Sequence, residues 1–241
     1  MRIAGIGART LGEEIATEPQ PVKAVLFDFS NTLFHVLDDA DWIRAVAAER
    51  GTPFDEETIT RLVGELEAAW ALPHVVEAQQ GRDLSPERHR TAGTTWLNAV
   101  GELAPLTEEL YAFLTTPPCW VPYDDVAPVL TELRRRGLPV GVVSDIAWDI
   151  RETFAYYGLA GLVDAFALSY ELGAAKPDPA VFGHACEQLG AEPDQVLMVG
   201  DTPASDGGAA ALGMRAYVLP ATGAMARRRG LDAVIDLVGG R

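Results

Sequence analysis

The chain is poor in positive charge. Only Lys23 and Lys176 are lysines, and Lys plus Arg total 19 against 35 Asp plus Glu. The resulting net charge of −16 repels nucleic acid and anionic membranes, and sets both aside as partners. Cysteine is as scarce. Cys119 and Cys186 lie far apart without metal-ligand spacing, which excludes a disulfide framework or a zinc site and fits a reducing compartment. No apolar run is long enough to span a bilayer. Residues 1–21 contain no apolar signal stretch. Their Gly, Thr, Glu and Pro content reads as a loose extension over residues 1–20, so a cytoplasmic protein is expected.

What is present is a regular alternation. The 241 residues, 48% of them apolar, suit one domain carrying a smaller insertion, as a monomer or a homodimer. Short apolar runs predict strands at residues 22–27, 138–143, 166–168, 196–199 and 216–219. Helical patterns at 126–136, 149–157, 179–189 and 206–212 separate the later ones, each stopped by a glycine. This predicts an α/β fold: a three-layer, Rossmann-like parallel sheet made by residues 21–34 and 120–241. Residues 35–119 break the alternation. They contain no convincing strand, and helical patterns fall at 40–50, 56–72, 86–100 and 108–114. They predict an α-helical insertion after the first strand.

In open parallel sheets, ligands bind beyond the carboxyl ends of the strands. Three predicted strands run into acids there: Asp28, Asp145 and Asp201, with Asp206 shortly after. Each aspartate alone reads as a helix cap or turn residue. Several at one sheet edge repel each other unless a divalent cation sits among them, and hard oxygen donors favour Mg2+. Lys176 stands in a Pro-flanked turn near the same edge, where an ammonium can neutralise a phosphoryl group and a nucleophile.

The segment Leu26-Phe27-Asp28-Phe29-Ser30-Asn31-Thr32-Leu33 resembles the first motif of the haloacid dehalogenase superfamily. Val140-Gly141-Val142-Val143-Ser144 resembles the second, Lys176-Pro177-Asp178-Pro179 the third, and Gly200-Asp201 followed by Asp206 the fourth. Four motifs in order on strand ends are specific, and they span residues 22–219. The resemblance implies a hydrolase of the helical-cap phosphatase and dehalogenase branch, acting on a small phosphorylated molecule. In it Asp28 would be the covalent nucleophile. Asp28, Asp201 and the Ser30 carbonyl would hold Mg2+. Thr32 and Ser144 would bond transferring oxygens, with Ser144, Asp145 and Lys176 binding substrate. Lys176 would balance charge, and Asp206 would orient it.

The pattern breaks at Ser30, where family phosphatases carry an aspartate that protonates the leaving oxygen and then activates water. A hydroxyl cannot serve as that base near neutral pH, and losing such a group costs about 10²–10⁴-fold. Either the substrate has a good leaving group, which lessens the need for acid assistance, or His35, Asp145 or a residue of the insertion supplies the proton. Two alternatives stay open. One is metal-independent hydrolysis of a 2-haloacid, although such enzymes carry a Tyr at the Ser30 position and lack the metal-binding aspartate. The other is a catalytically weak binding module. In the insertion, Arg82, Arg88, His89 and Arg90 form the densest basic cluster, suited to an anionic tail or to a solvated face. Trp42, Trp70 and Trp96 read as its core.

Overall fold

The structure is a computed structural model that describes residues 20–221 and 226–239. The expected N-terminal extension, Gln20 apart, lies outside the described residues. Seven strands form among the described residues: β1 (Ala24–Phe27), β2 (Phe34–Val36), β3 (Trp120–Pro122), β4 (Val140–Ser144), β5 (Ala165–Leu168), β6 (Val196–Gly200) and β7 (Arg215–Val218). Five of them make a parallel sheet in the order β5-β4-β1-β6-β7. β1 is therefore central. Its four residues are all fully buried, because a parallel strand is covered on both faces.

Alternation along β1 sends Val25 and Phe27 into one core and Ala24 and Leu26 into another, as the two-residue period of a strand requires. The second core is completed by α9 (Pro179–Leu189), through Val181, Phe182 and Ala185. On the first face lie α6 (Val126–Arg135), α7 (Arg151–Tyr156) and α10 (Asp232–Leu237). The short α8 (Ser169–Leu172) follows β5. Residues 206–212, expected to be α-helical, form a 3-10 segment. Their Gly-Gly-Ala composition has little side chain to reward a wider helix.

Between β2 and β3 the chain is helical: α1 (Asp39–Glu49), α2 (Glu56–Ala69), α3 (Pro73–Ala78), α4 (Pro86–Asn98) and α5 (Thr107–Leu114). Side chains of Asp38, Asp55 and Ser85 accept backbone N–H groups at the starts of α1, α2 and α4, which satisfies donors a helix start leaves free. Trp42 and Trp96 are buried, and their indole N–H groups donate to Leu110 O and Leu66 O. Trp70 departs from expectation. It is 42% exposed and stacks on Trp96 at 4.9 Å, so it seals the insertion from outside.

The sequence reading missed the ribbon at the junction. β2 and β3 pair antiparallel, with His35 opposite Val121. Both strands are three residues long, too short for their alternation to stand out. Phe29 anchors them, with ring centroids 4.9 Å from both Phe34 and Trp120. At the far side, Ser169 Oγ donates to Asp83 O at 2.6 Å and His89 packs edge-on against Trp148 at 5.0 Å. No helix of the described residues is long and apolar enough to cross a membrane.

A second buried tie holds the segment after β7. The Asp125 carboxylate is fully buried and accepts the backbone N–H groups of Arg229, Gly230 and Leu231. Burial raises this acid, but the backbone donors more than offset it and hold it below its ordinary value. Its stabilisation is thus present at neutral pH and lost as pH falls through the lowered folded value. Asp125→Ala should cost about 3 kcal/mol in urea melts at pH 7, and the difference from wild type should shrink as the pH drops below 3.8.

Candidate active site

Asp28 is the first residue beyond β1, and its N–H still donates to Val199 O on β6 at 2.9 Å. The next turn is tight. Leu33 N and Phe34 N both donate to Phe29 O, and Asn31 N donates to Phe34 O at 2.6 Å. Asn31 takes a left-handed φ of 55°, which asparagine tolerates better than most residues. The Ser30 carbonyl accepts no hydrogen bond among the described residues. Thr32 folds back, and its hydroxyl donates to Asp28 Oδ2 at 3.3 Å. Arg229, 4% exposed, braces the turn from outside by donating through Nε to Asn31 O and through Nη1 to Pro220 O.

Lys176 reaches this turn from the loop between α8 and α9. Asp145 Oδ1 accepts its backbone N–H at 2.8 Å, and Asp178 caps the helix that follows. Its ammonium donates to Asp28 Oδ1 and to Asp206 Oδ1, each at 2.6 Å. Asp206 is held in turn by Thr202 N, which donates to its Oδ2 at 2.9 Å. Gly200 makes room for it: a Cβ there would lie 2.2 Å from Asp206 Cγ. The three side chains of this clamp are almost wholly buried.

Burial raises the Asp28 carboxyl to about 6 against the pull of Lys176, with Asp206 and Asp201 adding to the rise. Burial opposes the Lys176 charge, but Asp28 and Asp206 more than offset it and hold the ammonium above its ordinary range. Carboxylate oxygens of Asp28, Asp201 and Asp206 lie within 4.8 Å of one another. One ammonium cannot balance three such acids. Asp206 is spent on Lys176 and Thr202 N, which leaves Asp28, the half-buried Asp201 and the free Ser30 carbonyl. That is an all-oxygen donor set of the kind a hard divalent cation takes, so the residues present fit Mg2+.

A cleft of about 680 Å3 opens on Asp201 and Asn31 between the sheet edge and the insertion. His35, on β2, lines it. Its Nδ1 faces Val36 O at 3.1 Å. The sequence-predicted residues Asp28, Thr32, Lys176, Asp201 and Asp206 thus converge. Ser144 is buried at the carboxyl end of β4, beside β1. The Asp145 carboxylate holds the Lys176 backbone. None of Arg82, Arg88, His89 or Arg90 lines the cleft. His89 is buried against Tyr111, its Nδ1 3.0 Å from the phenol oxygen, and Arg90 pairs with Glu108. Arg229, Tyr123 and Asp125 escaped the sequence reading. Arg229 sits in a run of arginines that reads as solvated surface, and only the fold buries it.

A family model described as haloacid dehalogenase-like hydrolase matches residues 22–213. A phosphatase of Mycobacterium tuberculosis is 38% identical over 103 residues, 42% of this chain, and the match spans only 48% of that relative's length. A phosphoglycolate phosphatase of Rhodospirillum rubrum is 30% identical over 200 residues, covering 82% of this chain and 79% of its own. The crystal structure of an L-2-haloacid dehalogenase from Xanthobacter autotrophicus superposes with a TM-score of 0.59 at 24% identity, covering 91% of this chain and 84% of that one. That likeness concerns the fold.

Two variants probe the clamp. Lys176→Met strands two buried carboxylates and should cost about 3–5 kcal/mol in chemical denaturation at pH 7. Gly200→Ala should displace Asp206 and, in a crystal structure, break the Lys176–Asp206 bond; an undisturbed pair would show that the space at Gly200 is not needed.

Proposed function

The chain belongs to the haloacid dehalogenase-like hydrolases, and from that membership we propose that it is a cytoplasmic, Mg2+-dependent phosphatase of a small phosphorylated molecule, with Asp28 as nucleophile. One observation carries the reading: the Asp28 carboxylate is held by Lys176 and Thr32 beside Asp201. Three acids sharing one ammonium suit a cation-assisted phosphoryl site, whereas a metal-independent dehalogenase has no use for Asp201. Relatives named as phosphatases support the same class.

The Asp28 and Asp201 carboxylates and the Ser30 carbonyl would hold Mg2+, which when bound neutralises charge on the phosphoryl oxygens. Lys176 supplies the fixed part of that neutralisation. A carboxylate oxygen of Asp28 attacks phosphorus, and the bond from phosphorus to the ester oxygen breaks. Water then attacks phosphorus, the bond to Asp28 breaks, and phosphate leaves with the carboxylate restored. Thr32, bonded to Asp28 Oδ2, restricts the carboxylate to the attacking orientation.

Ser30 cannot move the protons these steps need. His35 is assigned that role in the proposal, because it lines the cleft and an imidazole ring offers both a donor and an acceptor nitrogen. With Nδ1 directed at Val36 O, Nε2 is the nitrogen left for the leaving oxygen and later for water. The insertion, residues 35–119, serves as the cap that excludes bulk water from the core of residues 21–34 and 120–241.

A phosphomonoester panel with Mg2+ tests this. Asp28→Asn should abolish turnover. Ser30→Asp, which restores the customary acid, should leave hydrolysis equal or faster. His35→Gln should slow alkyl esters more than p-nitrophenyl phosphate, whose leaving group needs no proton, by about 10²-fold. Halide release from 2-chloropropionate in EDTA would overturn the phosphatase reading.

A further inference from the structure

Arg229 is the one arginine of its run that the fold buries. The side chains of Arg227 and Arg228 pair with Asp124 and Asp232 and are 85% and 58% exposed. Arg229 is 4% exposed, and no carboxylate lies within salt-bridge distance of its guanidinium among the described residues. A buried charge without an ion pair is costly, so its place needs another reason.

Its two acceptors supply that reason. Nε donates to Asn31 O, and Nη1 donates to Pro220 O at 2.7 Å. Asn31 follows Ser30 in the nucleophile turn. Pro220 follows Leu219, whose N–H donates to Gly200 O at 2.8 Å, and Gly200 precedes Asp201. One guanidinium thus staples the turn that carries Asp28 and Ser30 to the segment bonded beside Asp201. The arginine is itself placed from behind, since both Asp125 oxygens accept its backbone N–H, at 3.0 and 3.1 Å. It lines the same cleft as Asn31 and Asp201.

A second observation concerns the turn. Ser30 C=O and Asn31 N–H share one peptide plane, so the bond from Asn31 N to Phe34 O fixes the direction of the Ser30 carbonyl. The following plane carries Asn31 O, which Arg229 holds. Asn31 between them has a φ of 55°, and no other non-glycine residue among the described ones takes a positive φ. Left-handed backbone costs free energy in a residue with a Cβ and persists where its surroundings hold it. Rotating the first plane would return φ to negative values and turn the Ser30 carbonyl out of its present direction.

From these bonds we propose that Arg229 is a positioning residue for the Mg2+ site, holding the Ser30 carbonyl and the Asp201 carboxylate at the spacing one cation needs. This rests on the reading of Asp28, Ser30 and Asp201 as the metal's donors. A guanidinium has no lone pair to offer a metal, and its charge repels one. Its help to the cation therefore comes through geometry and runs against its own electrostatics.

That opposition of signs gives the test. Titration calorimetry of the full chain with Mg2+ alone compares the wild type with two variants. Arg229→Lys keeps the charge, but an ammonium cannot reproduce the fork that spans two carbonyls. Arg229→Met removes charge and fork together. Both should bind Mg2+ about tenfold more weakly or worse, and Arg229→Lys carries the test if Arg229→Met does not fold. Ser85→Ala, which loosens the start of α4 away from the cleft, should bind Mg2+ as the wild type does. Tighter binding by Arg229→Met, or unchanged affinity in Arg229→Lys, overturns the proposal, because the arginine then acts by charge or not at all. So does an equal loss in Ser85→Ala, which would make the effect one of general stability. A metal-free crystal structure of Arg229→Lys keeps the two readings apart. If the wild type takes up no Mg2+, the metal reading of the site fails. Asn31 at a negative φ in that variant, with the Ser30 carbonyl turned, still upholds Arg229 as the residue that positions the turn, and an unchanged turn removes that role.

Discussion

A single buried ammonium, Lys176 Nζ shared between Asp28 and Asp206, is the interaction on which the site depends. Two carboxylates this close and this dry cannot both keep their charge without a cation between them. The lysine therefore sets what the surrounding chain must do. Asp145 fixes its backbone, Thr202 N fixes Asp206, and Gly200 leaves the space that Asp206 fills. Removing any of these loosens the nucleophile, though only Asp28 itself would bond to substrate.

The charge that Lys176 leaves unbalanced gives the site its chemistry. Asp201 is half-buried beside the clamp and opens on the cleft. A site with surplus acid attracts a divalent cation, and such a site attracts phosphate only through that cation and Lys176. The protein's overall charge of −16 works against an anionic substrate at long range. Fixed local positive charge, not the general field, must hold the phosphoryl group.

The ribbon of β2 and β3 connects these parts. It carries the chain out of the nucleophile turn and back again, with His35 on it and Phe29 packed beneath it. The chain enters and leaves the helical insertion through these two short strands. The nucleophile turn is braced separately, by Arg229 and through Asp125.

The sequence alone determined the sheet and the insertion, because both are written in local order, and it marked the strand-end acids and Lys176 as candidates. Fully buried parallel strands read as continuous apolar runs ending in Asp28, Ser144 and Gly200-Asp201. Glycines mark the helix ends, and Lys176 stands out in a chain with two lysines. The β2–β3 ribbon was too short to show a period, and Asp206 entered a 3-10 segment rather than an α-helix. Only the tertiary structure decided which charges meet. Arg229 and Asp125 lie 104 residues apart and look like surface until the fold buries them together. Asp39, Glu67 and Tyr123 come from three separate segments and share a cleft only when the insertion lies against the sheet edge. Local sequence records burial through periodicity, but it holds no record of which distant side chains the folded chain brings within a few ångströms, and electrostatics in a low-dielectric cleft depends on that distance.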